Sequence, residues 1–134
     1  MLDEILPEGV LVYTMDKNGE KVEEKSDAAC LDMPMTVLIN GNSASAAEIF
    51  AGAIKDFKAG KIIGTTSFGK GIVQGIYGLP DGSAIKLTIS RYYTPSGVNI
   101  HGTGIEPDIE IDLDTDAKED VQLNKAIEEL KKDM

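Results

Sequence analysis

Met35-Thr36-Val37-Leu38-Ile39-Asn40-Gly41-Asn42-Ser43-Ala44-Ser45-Ala46-Ala47-Glu48-Ile49-Phe50 is the stretch from which the architecture is read. Its first five residues, led in by Pro34, are almost wholly apolar, the pattern of a buried central strand. Turn formers and small residues follow. From Ser45 the period changes: Ile49, Ala53 and Phe57, with Ala46 and Phe50 beside them, share one helical face. Lys55, Asp56 and Lys58 occupy much of the opposite face, and Gly60 supplies a stop. Strand, tight turn and helix in succession predict a mixed α/β chain.

Upstream, residues 10–14 and 20–25 flank Asp16-Lys17-Asn18-Gly19. Asn-Gly between extended runs predicts a hairpin, because both residues tolerate positive φ. Residues 26–32 read as a loop. Downstream, residues 61–65 form a short strand leading into a glycine-flanked turn. Residues 72–79 and 83–94 are two extended runs joined by Pro80-Asp81-Gly82, a second hairpin. Ile85, Leu87 and Ile89 alternate with Lys86, Thr88 and Ser90, which predicts one face toward the core and one toward water. Residues 98–112 are looped, with a short alternating stretch at Ile109 and Ile111. Asp116 or a neighbour then caps a helix through Val121, Leu123, Ala126, Ile127 and Leu130. Lys131 and Lys132 at its end suit the macrodipole. No repeat, low-complexity tract or linker divides residues 1–134, which read as a single unit.

Composition narrows the function classes. A chain of 134 residues, 42% hydrophobic, buries one modest core. Asp and Glu total 23 against 13 Lys and Arg, a formal charge of −10. That balance disfavours nucleic acid and anionic membranes, which are recognised with basic surface. Cys30 alone makes no internal disulfide and, with a single histidine, no zinc cluster. No run of about 18 apolar residues exists to span a bilayer. Met1-Leu2-Asp3-Glu4 has neither the basic region nor the apolar core of a signal.

Two residues carry the candidate chemistry. A serine is a poor nucleophile until a base takes its proton, and free N–H groups at a helix start can hold an oxyanion. Ser45 stands at such a start, Ala46 N–H is the natural donor, and Gly41, Ala44, Ala46 and Ala47 leave room for a peptide. Ser45-Ala46-Ala47-Glu48 also reads as a capping box, and the two roles are compatible. Lys70, in Phe68-Gly69-Lys70-Gly71, is the candidate base. A lysine serves as base only when neutral, so its ordinary pKa of about 10.4 must fall by several units through burial. Gly69 and Gly71 permit tight packing, and Phe68 and Ile72 can supply apolar cover; the plainer reading is a solvated lysine in a turn.

Other patterns fail on inspection. Gly64-Thr65-Thr66-Ser67-Phe68-Gly69-Lys70-Gly71 imitates a phosphate loop, yet Gly71 stands where Ser or Thr should hold magnesium, and a strand pattern follows instead of a helix. Asp112-Leu113-Asp114-Thr115-Asp116 imitates the start of a calcium loop. Ala117 replaces its glycine and Leu123 its bidentate glutamate. His101 stands alone in a glycine-rich loop, and Tyr92 and Tyr93 read as strand packing. No metal or cofactor is expected.

Several ordered segments, read together, resemble one family. Residues 37–49 look like the nucleophile segment of the C-terminal-processing (tail-specific) serine peptidases. Asp56-Phe57, Ile63-Gly64 and Thr66-Ser67-Phe68-Gly69-Lys70-Gly71-Ile72-Val73-Gln74 resemble the stretch carrying that family's lysine. Leu79-Pro80-Asp81-Gly82-Ser83-Ala84, Arg91-Tyr92-Tyr93-Thr94-Pro95-Ser96-Gly97 and Gly104-Ile105-Glu106-Pro107-Asp108 continue the likeness, over roughly residues 5–112. The resemblance implies that Ser45 is the nucleophile, Lys70 the general base and Gln74 the residue that positions the lysine. It implies the αβ superhelix shared with Clp protease and crotonase, here as a partial domain with mixed sheet and hairpins.

The same resemblance implies an upstream half that this sequence lacks: a signal or anchor, a PDZ domain, and an Asn-Pro-Gly-Gly-type segment completing the oxyanion hole. The chain is therefore expected to be the C-terminal part of a catalytic domain, with Met1 added and weak or no activity alone. Its substrates would be unstructured protein or peptide C-terminal tails, and the intact protein would be exported, as a periplasmic, extracellular or membrane-anchored enzyme. Two other classes remain open: a non-catalytic module that binds peptides by strand addition, and a fragment that self-associates through exposed edges.

Overall fold

The computed structural model describes residues 1–113 and 118–132. In chain order its elements are β1 (Gly9–Asp16), β2 (Lys21–Ser26), β3 (Thr36–Ile39), α1 (Ala46–Phe57), β4 (Lys61–Gly64), β5 (Ile72–Gly78), β6 (Ala84–Tyr93), β7 (Ile109–Glu110) and α2 (Val121–Leu130). Both predicted hairpins form. Between β1 and β2, Gly19 takes φ 83°, and Asp16 Oδ1 accepts the N–H groups of Asn18 and Glu20 at 2.8 Å each. Between β5 and β6, Leu79 N–H donates to Ser83 O at 2.7 Å and Gly82 N–H to Leu79 O at 3.0 Å. The hairpins join into one antiparallel sheet of order β2-β1-β6-β5. The remaining strands make a parallel sheet of order β3-β4-β7.

Burial decides which strand holds the centre of the parallel sheet. Ile62 and Ile63 of β4 are both 0% exposed, and successive strand residues point to opposite faces, so both faces of β4 are covered. α1 packs against β1 and β4, and α2 against β3 and β4. The main core gathers Leu6, Leu11, Ile39, Ala51, Ile54 and Ile62, with Ile100 and Ile105 from the loop before β7. On α2, Glu129 is ringed by Lys61, Lys125 and Lys132 at 2.6, 3.0 and 2.5 Å. Hydrogen bonds from Lys132, then Lys61 and Lys125, hold its carboxyl far below the usual carboxylate range.

Four sequence expectations need correction. β3, expected at the centre, lies at an edge of the described sheet with Leu38 40% exposed, because β4 takes the position between two partners. Ile85, Leu87 and Ile89, expected to face the core, are 43–51% exposed. β1 pairs only with residues 90–93 of β6, so the outer half of the β5–β6 hairpin extends beyond its neighbour. The buried face of α1 centres on Glu48, Ala51, Gly52, Ala53 and Ile54, while Ala46 is exposed and Ile49 and Phe57 are half-buried. The cause is close packing at Gly52, where a Cβ would approach Thr94 Cγ2 to 2.9 Å. The helix also stops before Gly60: Lys58 turns left-handed at φ 56°, and Lys58 and Ala59 N–H return to Lys55 O and Ile54 O. The cap of α2 is Asp120, whose Oδ1 accepts Leu123 N–H at 2.9 Å; Asp116 and the calcium-like run at 114–117 lie outside the described residues.

Candidate active site

Between Ile39 and Ala46 the chain must reverse from strand to helix in six residues. Asn40 Oδ1 accepts Asn42 N–H at 2.9 Å, and Ser43 Oγ accepts Asn40 N–H at 3.1 Å, which sets the turn. Ser45 then sits at the N-cap of α1 with φ 58° and ψ −113°. For a residue with a side chain this backbone is strained by about 1–3 kcal/mol, and such strain concentrates at functional sites. It resembles the elbow that presents a nucleophile on a strand-to-helix turn. The Ser45 side chain lies toward the backbone of Glu48 as in a capping box, without closing a cap hydrogen bond. Only the Glu48 half is closed, with Ser45 N–H donating to Oε2 at 2.8 Å.

The following N–H groups divide sharply. Ala47 N–H donates to Ala44 O at 3.3 Å, and those of Glu48 and Ile49 donate to Ser45 O at 2.9 and 3.0 Å. Ala46 N–H, adjoining Ser45 on an exposed residue, finds no acceptor among the described residues. An unengaged donor at this position suits the oxyanion role predicted for it.

The second loop leaves β4 beside the first. Gly64, at φ 131°, makes this possible: a Cβ there would lie 1.9 Å from Ile39 O, and Thr65 N–H instead donates to that oxygen at 3.1 Å. The two loops therefore emerge together from the carboxyl ends of adjacent parallel strands, the usual place for a site in such sheets. Phe68 N–H donates to Ser43 O at 2.9 Å, joining them directly. On its other side the lysine loop is clasped by residues 100–105. Gly102 N–H donates to Gly69 O at 2.9 Å, and a Cβ on Gly71 would approach His101 N to 2.6 Å. The tight packing predicted for Gly69 and Gly71 is present.

Glu48 binds the two loops together. It is 0% exposed, and its carboxylate accepts four hydrogen bonds. Ser67 Oγ and Gly69 N–H donate to Oε1 at 2.5 and 2.6 Å; Ser45 N–H and Lys70 N–H donate to Oε2 at 2.8 Å each. The main-chain nitrogens of Ser45 and Lys70 thus lie within twice that distance of each other. Burial alone would raise the Glu48 carboxyl. The Ser67 hydroxyl and the three N–H groups outweigh it and hold the group below the usual carboxylate range. Charge-assisted bonds of this kind contribute about 1.5–3 kcal/mol each, enough to offset the strain at Ser45.

The side chains beyond this hub differ in placement. The Lys70 side chain is exposed, and Phe68, expected to cover it, is itself 65% exposed. Ile72 is half-buried. Gln74 is exposed on β5 opposite Thr88, next to a register shift between Val73 and Gln74. His101 is exposed, and its N–H donates to Asn99 Oδ1. Tyr93 stacks on Tyr13 at 5.0 Å between ring centres, a packing role as read. Asp108 is structural: its Oδ2 accepts Ile62 N–H at 2.8 Å, tying residues 104–108 to β4. Glu48 was read from the sequence only as a capping partner. The further signal was an acid on the side of an apolar helix, with Ser67 and two glycines near the candidate base.

Peptidase family S41 matches residues 1–111 of this chain. The chain is 41% identical over 110 residues to the chloroplastic C-terminal processing peptidase of Tetradesmus obliquus, covering 81% of this chain and 24% of that protein. It is 47% identical over 114 residues to the carboxy-terminal-processing protease of Bartonella bacilliformis, covering 82% and 26%. The chain thus spans about a quarter of the length of these curated relatives. The solved photosystem II D1 C-terminal processing protease superposes with a TM-score of 0.77 at 40% identity, over 82% of this chain and 29% of that one. The tricorn protease superposes at 0.63 with 19% identity, over 90% of this chain and 12% of that one, a likeness of fold alone. The expected Clp protease/crotonase-like architecture is borne out by these superpositions.

Proposed function

The chain belongs to peptidase family S41, and from that premise we propose that it carries the Ser45–Lys70 dyad of a C-terminal-processing serine endopeptidase. The observation that supports this most directly is Glu48 Oε2, which accepts the main-chain N–H of both residues. In the reaction Ser45 Oγ attacks the scissile carbonyl carbon while Lys70 Nζ takes its proton. The carbonyl oxygen, now an oxyanion, is held by Ala46 N–H. The C–N bond then breaks, and the leaving amine takes the proton from Lys70. Water attacks the resulting ester with Lys70 again as base, releasing the acid and restoring Ser45. Gln74, four residues after the lysine, orients it.

This reading includes the rest of a catalytic domain. With Lys70 exposed and Ala46 the single donor identified, the base needs apolar cover and the oxyanion a second N–H, which an upstream segment and its PDZ-bearing partner region would supply. Substrates are then protein chains presenting unstructured C-terminal tails, and the intact enzyme works outside the cytoplasm. Among the described residues no helix is long and apolar enough to cross a membrane. In the complete peptidase, Ser45→Ala and Lys70→Ala should each abolish turnover with the fold intact, and the double variant should be no worse than either. Gln74→Ala should be milder and His101→Ala neutral. Abolition of turnover by His101→Ala in a folded protein would replace the dyad with a histidine mechanism.

One observation favours a second behaviour of the isolated chain. Tyr77, Ile85, Leu87 and Ile89 are 43–51% exposed on the β5–β6 hairpin, and β5 is a sheet edge. Such surface promotes self-association. Light scattering at several concentrations should show mass rising with concentration; a constant monomer mass would remove this reading.

A further inference from the structure

We infer that Glu48 is a positioning residue for the dyad, its carboxylate locking the nucleophile turn and the lysine loop into one rigid unit. The inference rests on the Ser45–Lys70 reading for its catalytic meaning, and on geometry for its structural content. Four donors from two separate loops converge on two oxygens: Ser67 Oγ and Gly69 N–H on Oε1, Ser45 N–H and Lys70 N–H on Oε2. Glu48 itself is 0% exposed, so water cannot replace any of them without opening the site. Ser67 Oγ extends the lock by accepting Ile105 N–H at 2.7 Å. The residues 104–105 that clasp the lysine loop are thereby included.

The chemistry of the group explains why a carboxylate is required. Four N–H or O–H donors demand an acceptor with two oxygens and no hydrogen of its own, which an ionised carboxylate provides. Glutamine fills the same volume but offers one oxygen and an NH₂. Whichever way it is turned, one pair of donors meets other donors. With the amide against Ser45 and Lys70, the left-handed Ser45 backbone at φ 58° loses the acceptor that holds it. The reacting atoms shift although neither catalytic side chain has changed, and the loss falls on the chemical step rather than on substrate affinity.

The test uses the complete peptidase. Glu48→Gln should remain folded by circular dichroism. Its kcat should fall about tenfold or more, with KM within about twofold, since the lost interaction orients reacting groups. In the same protein, amide hydrogen exchange at Ser45, Gly69 and Lys70 should quicken about tenfold or more relative to the β1–β2 hairpin. Glu48→Asp, which keeps the charge but shortens the reach, should fail to restore kcat. Wild-type kcat in Glu48→Gln, or exchange quickened uniformly over the whole fold, would overturn the inference. Should Glu48→Gln not fold, Ser67→Ala takes one of the four donors from the carboxylate, along with the acceptor of Ile105 N–H: a kcat lowered about threefold with faster exchange at Gly69 supports the lock, and no change in either refutes it. If Ser45→Ala retained turnover, the dyad reading would fall, while the exchange pattern would still decide whether Glu48 locks the two loops.

Discussion

At the residue scale the most consequential group is a buried acid in the first turn of α1. Glu48 ionises more readily than its usual value of 4.5, because four donors outweigh its burial. The linkage then has a definite sign: a carboxyl whose pKa is lower folded than unfolded stabilises the protein above the unfolded value, and that contribution fades as pH falls through the folded one. Denaturant unfolding of the wild type and of Glu48→Gln should therefore differ by a constant amount from neutral pH down to about pH 4.5. Below that the gap should narrow as the carboxyl protonates. A gap that widened on acidification would mean that the carboxyl is stabilised in its protonated form.

At the scale of elements, the close approach of β3 and β4 brings the two loops together, and one glycine permits it. Gly64 combines φ 131° with a Cβ position 1.9 Å from Ile39 O, so alanine there meets both torsional strain and a backbone clash. Gly64→Ala should destabilise the protein by about 2–4 kcal/mol. Gly19, at φ 83° with no atom within 4 Å of its Cβ position, meets strain alone. Gly19→Ala should cost about 1–2 kcal/mol. Urea midpoints of the two variants test the ordering, and equal losses would show that the strand approach yields without penalty. The β5–β6 hairpin gives the complementary lesson. Its alternation is that of a half-buried strand, but its pairing with β1 ends at Ser90, so the apolar side chains beyond stay in water.

For the whole molecule, the main chain joins the two candidate loops while the proposed base stays open to solvent. Ser45 and Lys70 are anchored through the main chain, yet Lys70 is exposed, and the two clefts flanking Lys55 include neither residue. The isolated chain should cleave an unstructured protein slowly or not at all, since removal of a single oxyanion donor elsewhere lowers kcat by about 10²–10³. Mass spectrometry of new termini would measure it. Robust cleavage abolished by Ser45→Ala would show that these residues suffice, and activity restored by adding the remaining catalytic segment would show the opposite.

The elements themselves were legible in the sequence because their causes are local. Asn18-Gly19 and Pro80-Asp81-Gly82 specify hairpins through φ preferences of single residues, and a change of period at Ser45 separates strand from helix within a few positions. The pairing of Ser45 with Lys70 as candidates was equally readable, from residue type, flanking glycines and family likeness. Tertiary structure alone decided three matters. It put β4 rather than β3 between two partners, left Ile85, Leu87 and Ile89 uncovered, and turned Glu48 from a helix cap into the joint of the site. Each depends on which distant segments meet. Side-chain period tells that a face is apolar, but only the packed chain determines what, if anything, lies against it, and only the convergence of two loops gives a buried carboxylate four donors to hold.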